Sequence, residues 1–311
     1  MSKSGIKVFA PATVANVAVG FDILGFALEK PGDEIIVREG KEKGLVINDI
    51  RGAQGRLPYE VHKNTAGYAA YKFLQFLGEA DRPIEMEIHK KMPFGSGLGS
   101  SAASAVGGVF AVNELLRAGL SKNELLQFAV DGEQLASGAR HADNVAPSLL
   151  GGMVLIRDND TIDVKKLYIP HGLCAVVLYP HVEVLTKESR GILSPTVDFK
   201  TSIRQSGNLA SFVAAMYTSD FDMIRRSLKD LVVEPQRAHL IPYFYEMQAM
   251  AMEVGALGFS ISGAGPSMFG LCDNTSIAET IAQRAETWFV DKKVGLNSYI
   301  SPINQEGAIL Y

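Results

Sequence analysis

The stretch that most restricts how this chain can fold is PFGSGLGSSAAS, residues 93–104, which leads directly into the apolar segment AVGGVFAVNELL. Glycines at 95, 97 and 99 permit positive φ angles and carry no Cβ atoms, so backbone N–H groups can close around an anion. The small residues that follow predict the start of a helix, whose first N–H groups lack partners and whose positive end favours phosphate. Composition leaves one alternative open, a tight turn feeding a closely packed helix.

Two common phosphate-binding motifs are excluded by the same stretch. It contains no G-K-[ST] sequence, which a Walker A loop requires. Its glycines are spaced G-x-G-x-G, with Ser100 where the last glycine of a dinucleotide-binding motif would stand. The hydroxyls of Ser100 and Ser101 can still reach phosphate oxygens or a magnesium ion.

The composition is that of an ordinary globular protein of 311 residues, enough for two domains, with 47% apolar and 21% charged residues. A net charge of −4 argues against a nucleic-acid partner. The N-terminal segment MSKSGIKVFAPA lacks the apolar region of a signal peptide, and no apolar run is long enough to span a membrane. We therefore expect a cytoplasmic enzyme. Cys174 and Cys272 lie in apolar, strand-like runs and are expected to be reduced core thiols.

Hydrophobic patterns predict mixed strands and helices without regular βαβ spacing, which favours an α+β fold. In the first half, strands are predicted at 5–10, 33–39, 84–90 and 151–158, and helices before Gly78, from the glycine loop to about Arg117, and from a Ser121–Glu124 capping box. In the second half, we expect a strand at LCAVVLYP, helices at about 203–217, 220–231 and 242–254, and a final strand near 294–300. The polar segment 158–172 predicts the boundary between domains 1–160 and 161–311.

Three motifs, in the right order, resemble those of the GHMP kinase superfamily, which phosphorylates galactose, homoserine, mevalonate and phosphomevalonate. PFGSGLGSSAAS resembles the central P-x-x-x-G-L-G-S-S-A-A motif, and PATVANVAVGFDILG at 11–25 and GFSISGAGPSMFG at 258–270 resemble the other two. The resemblance spans the chain. It implies an N-terminal ATP-binding domain like ribosomal protein S5 domain 2 and a C-terminal ferredoxin-like α/β sandwich.

Within the superfamily, the homoserine kinases are most similar, because SGARHADNVAPSLLGG at 137–152 resembles their segment. Thr13 agrees with this, since mevalonate and sugar kinases carry a basic residue near that position. One departure is Ala18-Val19, where many relatives have Gly-Pro. The resemblance implies transfer of a phosphoryl group from ATP, with Mg²⁺, to the hydroxyl of L-homoserine. The product would be O-phospho-L-homoserine, on the route to threonine, and relatives make a homodimer a fair expectation.

Homoserine is a zwitterion with a primary alcohol, so its pocket needs a cation for the carboxylate and an acceptor for the ammonium. A planar guanidinium can donate two parallel hydrogen bonds to a carboxylate. By resemblance, the substrate-binding residues are Asn16 and Asp22 at the ammonium, Arg190, Arg237 and the nearby Thr186 at the carboxylate, and His141 in the pocket wall.

The resemblance also implies an ATP site and a metal site. Glu133 matches the metal-binding glutamate, with Ser101 as its partner, since Mg²⁺ prefers hard oxygen ligands. Asn64 would lie on the adenine side. The triphosphate would contact Pro93, Phe94, Gly95, Ser96, Gly97, Leu98, Gly99, Ser100, Ser101, Ala102 and Ala103, with the site closed by Ser262, Gly263, Ala264 and Gly265.

The group that receives the hydroxyl proton stays open. The candidates are Asp143, Asn144 and the phosphate itself, with no protein residue acting as the base. Our hypothesis is that the proton passes directly to the γ-phosphate while Asn144 orients the hydroxyl. Two other functions also stay open. One is a kinase for another small alcohol, such as mevalonate, shikimate or a sugar. The other is a non-catalytic ligand sensor on the same fold.

Overall fold

The computed structural model describes residues 5–184 and 186–311, excluding the side chains of 186–188. The described residues form eleven strands: β1 (Ile6–Ala15), β2 (Leu24–Glu39), β3 (Leu45–Arg51), β4 (Ile84–His89), β5 (Met153–Asp158), β6 (Asp163–Lys166), β7 (Cys174–Pro180), β8 (Gly258–Ile261), β9 (Met268–Cys272), β10 (Leu296–Pro302) and β11 (Ile309–Leu310). They also form ten α-helices: α1 (Thr65–Phe76), α2 (Ser100–Leu116), α3 (Lys122–Ser137), α4 (Val145–Leu150), α5 (Thr186–Gly191), α6 (Phe199–Thr218), α7 (Phe221–Ser227), α8 (Glu234–Arg237), α9 (Phe244–Val254) and α10 (Thr275–Asp291).

The strands divide into two sheets. The larger has the order β11-β1-β2-β4-β3, with β5 beside β2 and β6 beside β5, and only β3 and β4 run parallel among its described pairs. The smaller has the antiparallel order β10-β7-β9-β8. Helices α1, α2 and α4 pack against the first sheet, α3 packs on those three helices, and α9 and α10 pack against the second sheet. None of the helices in the described ranges is both long and apolar enough to cross a membrane.

Helix α2 lies at the centre of the first layer and is buried on nearly all sides. Its small residues are needed for that packing. A Cβ atom at Gly107 would lie 2.5 Å from Cγ1 of Ile35 on β2, and one at Gly108 would lie 2.4 Å from the carbonyl oxygen of Ala66 on α1. The closely packed helix that the sequence left open as an alternative is therefore present, and it coexists with the glycine loop before it.

The two sheets share part of one core. Phe26 on β2 meets Phe269 on β9 edge to face, with ring centroids 5.9 Å apart. The chain returns to the larger sheet at its C-terminus, where β11 pairs with β1. The domain boundary between residues 160 and 161 stays a prediction. The larger sheet contains strands from both sides of it, because β6 and β11 both follow residue 161.

Most of the expected elements are present, and the capping box is confirmed: Ser121 and Glu124 bond each other's backbone N–H groups at the start of α3. Several boundaries were wrong. Strand β1 continues to Ala15, beyond the expected end at residue 10. Strand β2 begins well before residue 33. The helix expected over 220–231 ends at Ser227, because the Asp230 carboxylate accepts from the N–H groups of residues 232, 233 and 234 and holds a turn there. The strand near 294–300 is β10 and is not the last one. Cys174 and Cys272 are buried free thiols, as expected.

The departure at Ala18 gives a prediction about stability. Ala18 has φ of 56°, in the left-handed region that glycine adopts without steric cost. Ala18→Gly should raise the free energy of unfolding by about 0.5–1 kcal/mol. The backbone strain that glycine removes from the folded state is larger, in free energy, than the stabilisation of the unfolded chain by its added conformational entropy. Chemical denaturation of the parent and the variant measures this. Ala15→Gly, in the regular part of β1, is the control and should destabilise; equal losses in both variants would contradict the prediction.

Candidate active site

The glycine loop joins β4 to α2, and its backbone has the conformation that the sequence predicts. Gly95, Gly97 and Gly99 have φ of 59°, 76° and 67°, and Gly99 is the N-cap of α2. The loop is fixed by the segment after β8: Ser262 Oγ donates to the Gly97 carbonyl oxygen at 2.6 Å, and the Ser267 N–H donates to that of Ser96 at 3.1 Å. Two of the three sequence motifs are thus in direct contact.

A buried ion pair lies beneath the loop. Lys90 pairs with Asp33, and both side chains are almost inaccessible to solvent. The Lys90 ammonium also donates to the Ser100 carbonyl oxygen and to Ser104 Oγ, both at 2.7 Å. Asp33 accepts from the N–H groups of Lys91 and Met92. The pair therefore ties the start of the loop to the first turn of α2.

A cleft of about 290 Å³ opens in front of the loop. Its walls include the loop, the start of α1, Glu133 of α3, and Gly263 and Ala264. Asn64 also lines it, and its side chain is engaged in local structure: Oδ1 accepts from Ala66 and Gly67 N–H, and Nδ2 donates one hydrogen bond to the Pro58 carbonyl oxygen. Asn64 thus shapes this wall of the cleft by capping α1.

Glu133 points into the cleft from α3. Ser101 Oγ donates to Glu133 Oε1 at 2.9 Å, while the buried Oε2 has no partner. Burial raises the pKa of Glu133 to about 7, opposed by the Ser101 hydrogen bond and further raised by Asp143. Burial likewise raises the pKa of Asp143 to about 7, with Asp22 adding to the effect. These two carboxyl groups are therefore destabilised as anions until a cation joins them.

A second cavity of about 70 Å³ adjoins the first and is strongly charged. The Arg190 guanidinium makes two hydrogen bonds to the Asp22 carboxylate, at 2.9 and 2.8 Å. Arg237 is almost fully buried and donates to the carbonyl oxygens of Ser189 and Gly263. Burial lowers the pKa of Arg237 to about 10, and the nearby charge of Arg190 lowers it further. Two guanidinium groups thus converge on one small space.

Asn16 and His141 complete this cavity. Asn16 Oδ1 accepts from the Asp22 N–H at 3.1 Å, which fixes the turn that carries Asp22. His141 Nδ1 lies 3.7 Å from Asp22 Oδ2, and burial lowers the pKa of its ring. Both ring nitrogens of His141 are buried without a hydrogen-bond partner. With Glu133 Oε2, they account for three of the five such side-chain atoms in the described part of the chain, which marks this region as a ligand site.

The two cavities meet at four residues that line both: Glu133, Asn144, Gly263 and Ala264. Thr13 Oγ1 donates to Asn144 Oδ1 at 2.8 Å, which leaves the Asn144 amide nitrogen as its free donor group. The uncharged Thr13 therefore acts here as an anchor for Asn144. A group in the smaller cavity can meet a group in the larger cleft only at this junction.

The structure brings most of the predicted site residues to these cavities. Asn16, Asp22, Asp143, His141, Arg190 and Arg237 line the smaller one. Several loop residues lie behind the walls: Leu98, Ala102 and Ala103 are in the core, Pro93 faces away, and Ser262 and Gly265 support Gly97 from behind. Thr186 begins α5, but its side chain lies outside the described residues. Sequence reasoning missed Lys90, Asp33 and Phe21, although Phe21 lies inside the quoted motif at 11–25 and Lys90 lies three residues before the motif that begins at Pro93.

Comparison with known proteins identifies the family of this chain. Residues 64–152 match the GHMP kinases N terminal domain, and residues 212–291 match the GHMP kinases C terminal domain. The homoserine kinase of Chlorobium phaeobacteroides strain BS1 is 41% identical over 311 residues, covering 96% of this chain and 97% of that protein. The homoserine kinase of Xylella fastidiosa strain M12 is 38% identical over 304 residues, covering 98% and 93%.

Solved structures give the same result. The homoserine kinase of Cytophaga hutchinsonii superposes with a TM-score of 0.97 at 47% identity, covering 100% of this chain and 98% of that one. The mevalonate kinase of L. major, at 15% identity and a TM-score of 0.72, covers 97% and 98% and shares the fold. The predicted α+β fold is therefore confirmed as that of the GHMP kinases, and the chain belongs to the homoserine kinase family.

Proposed function

We propose that this chain transfers the γ-phosphoryl group of ATP to the hydroxyl of L-homoserine, giving ADP and O-phospho-L-homoserine for threonine biosynthesis. One observation carries the proposal. A cleft lined by the glycine loop and a cavity lined by Asp22, Arg190 and Arg237 share a junction at Glu133 and Asn144. Membership of the homoserine kinase family supports it.

Recognition of the substrate follows from the charges in the smaller cavity. Asp22 and Arg190 bind each other in the structure. An incoming zwitterion offers an ammonium to Asp22 and a carboxylate to Arg190, so it replaces the charge partner that each side chain gives up. Arg237 adds a second cation on the carboxylate side. A ligand with only one of the two charges would leave either Asp22 or Arg190 without a charge partner. The free-energy penalty of that half-buried, unpaired ion would exceed the binding free energy gained from the single new ion pair.

Mg²⁺ fits the residues at the junction. Glu133 presents a buried oxygen without a partner, next to the Ser101 hydroxyl, and Mg²⁺ prefers such hard oxygen ligands together with phosphate oxygens and water. Glu133 and Ser101 would hold the ion. When bound, the ion neutralises charge on the ATP phosphates. The small residues of the loop let backbone N–H groups approach the same phosphates.

For the chemical step, the alcohol oxygen attacks the γ-phosphorus, the bond to the β–γ bridging oxygen breaks, and ADP leaves. Because Thr13 fixes Asn144 Oδ1, the Asn144 amide N–H is free to donate to the alcohol oxygen and orient it. The hydroxyl proton then faces the γ-phosphate and passes to one of its oxygens. Positioning and charge neutralisation supply most of the rate in such a transfer.

The assignment is tested by ADP release in a coupled assay with homoserine, mevalonate, shikimate and galactose. We expect turnover with homoserine to exceed that with the other three by more than a hundredfold, because only homoserine satisfies both charges. A higher turnover with another of these alcohols would contradict the homoserine assignment and indicate a GHMP kinase with that alcohol as its substrate. Calorimetric binding of ATP and homoserine without any turnover would instead favour a ligand sensor.

The role of Asp143 is tested separately by Asp143→Asn. If the proton passes directly to the phosphate, the variant should keep turnover within about tenfold of the parent, far less than the loss expected from removing a general base. The pH dependence of kcat in the variant should also lack the inflection near pH 7 that ionisation of the Asp143 carboxyl group gives in the parent. The measurement is kcat between pH 5.5 and 9 with saturating homoserine. A fall of several orders of magnitude, with homoserine binding and unfolding temperature unchanged, would make Asp143 the base.

The cellular setting is proposed on the same basis. We propose a cytoplasmic location, since ATP and amino-acid precursors are available there. A homodimer stays a prediction, which sedimentation equilibrium would check.

A further inference from the structure

Phe21 lies close to both arginines of the charged cavity, in the turn immediately before Asp22. The Arg190 guanidinium carbon is 5.2 Å from the centre of the Phe21 ring, and that of Arg237 is 5.1 Å from it. Both distances are within the range of a cation–π interaction. Phe21 also lines the cavity. One aromatic ring is thus shared by two cations that would otherwise repel each other.

The two arginines depend on the ring to different degrees. Arg237 is almost fully buried and is held by the carbonyl oxygens of Ser189 and Gly263, so its position is fixed without Phe21. The side chain of Arg190 is 39% exposed, and its hydrogen-bond partner is the Asp22 carboxylate. When substrate takes Asp22, Arg190 loses that partner. Within the described part of the cavity, the Phe21 ring is then the remaining side chain that holds the Arg190 guanidinium in place.

We propose that Phe21 is a positioning residue for carboxylate recognition, whose ring keeps the Arg190 guanidinium beside that of Arg237 so that both can bind one substrate carboxylate. This inference rests on the proposed function. It assigns discrimination between amino-acid and non-amino-acid alcohols to a side chain that makes no hydrogen bond itself. The backbone supports it, since Asp22 has φ of 62°, a strained turn that places the ring and the carboxylate side by side.

The test compares two alcohols that differ in one group. Homoserine carries the carboxylate, and 3-amino-1-propanol is the same amino alcohol without it. In Phe21→Leu, we expect KM for homoserine to rise roughly 10- to 100-fold, because two cation–π contacts are lost. The kcat/KM for 3-amino-1-propanol and the KM for ATP should stay within about twofold. Phe21→Tyr keeps an aromatic face and should restore homoserine KM to within about threefold of the parent.

Two further variants separate positioning from a general structural effect. Phe76→Leu makes the same chemical change at an exposed position on α1 and should leave both substrates unaffected. In an Arg190→Met background, Phe21→Leu should cause little additional loss with homoserine, because the ring then has no mobile guanidinium to hold.

The outcomes distinguish the two proposals. Equal losses for both alcohols, or an undiminished loss in the Arg190→Met background, would overturn the role of Phe21 while homoserine phosphorylation by the parent stands. Absence of homoserine turnover in the parent protein would instead overturn the proposed function.

Discussion

Glu133→Gln should lower the turnover of homoserine by about a thousandfold, since metal neutralisation of phosphate charge is worth several kcal/mol and each 1.4 kcal/mol is tenfold in rate. The change keeps the size of the side chain and its acceptor for the Ser101 hydroxyl. It removes the negative charge that would hold Mg²⁺. The measurement is kcat at saturating ATP and homoserine over a range of Mg²⁺ concentrations, where the variant should need far more Mg²⁺ to reach its maximum.

The same variant should be more stable than the parent at pH 8. The pKa of Glu133 is raised from 4.5 to about 7, so the folded state holds this proton more tightly than the unfolded state does. Stability of the parent therefore declines as pH rises from 4.5 to 7, and the full penalty of the buried charge is present above pH 7. Glutamine carries no charge and removes the penalty. The unfolding temperatures should be similar near pH 4 and diverge above it.

The exposed Glu279 on α10 provides the matched control. Glu279→Gln makes the same chemical change and should alter neither kcat nor the pH dependence of unfolding. A Glu133→Gln protein that keeps normal turnover at low Mg²⁺ would contradict the metal site. Lost turnover accompanied by a lower unfolding temperature at pH 8 would attribute the loss to misfolding.

Sequence reasoning succeeded where the chemistry is local. Positive φ at Gly95, Gly97 and Gly99 follows from residue type, and the Ser121–Glu124 cap follows from spacing, so neither depends on distant parts of the chain. The resemblance added Glu133 and the arginines as candidates, and all three line the smaller cavity. That step needed three motifs far apart in the sequence, since a lone arginine or glutamate is usually a surface residue.

The residues that were missed act over long sequence distances. Lys90 bonds Asp33, 57 residues away, and nothing in the adjacent pair Lys90-Lys91 shows which lysine is buried. Phe21 is apolar, so its residue type predicts a position in the core. Its proposed role is indicated only by its proximity to Arg190 and Arg237 in the folded structure. Strand β11 has two residues and pairs with β1 across nearly the whole chain, so no local pattern could predict it. In each case tertiary contacts decide the role.

Gly97→Ala tests whether the glycine loop must stay seated against the segment after β8. A Cβ atom there would lie 2.5 Å from the Ser262 carbonyl oxygen and 2.9 Å from that of Gly265, both in backbone that cannot easily move. We expect kcat/KM for ATP to fall at least a hundredfold, because a displacement of about 1 Å of positioned groups has that effect. Steady-state kinetics with ATP as the varied substrate measures it.

Gly119→Ala separates this contact from the cost of the backbone conformation. Gly119 has φ of 75°, close to the 76° of Gly97, and a Cβ atom at Gly119 would have no neighbour within 4 Å. Left-handed strain should lower the stability of both variants by roughly 1–2 kcal/mol. The close contacts should destabilise Gly97→Ala further, and only this variant should also lose activity. Ser262→Ala, which removes the hydroxyl bonded to the Gly97 carbonyl oxygen without adding an atom, should show a smaller loss in the same direction. If Gly97→Ala and Gly119→Ala retained equal activity, the loop could not depend on this contact to hold nucleotide, and the junction with Glu133 would have to be assembled in another way.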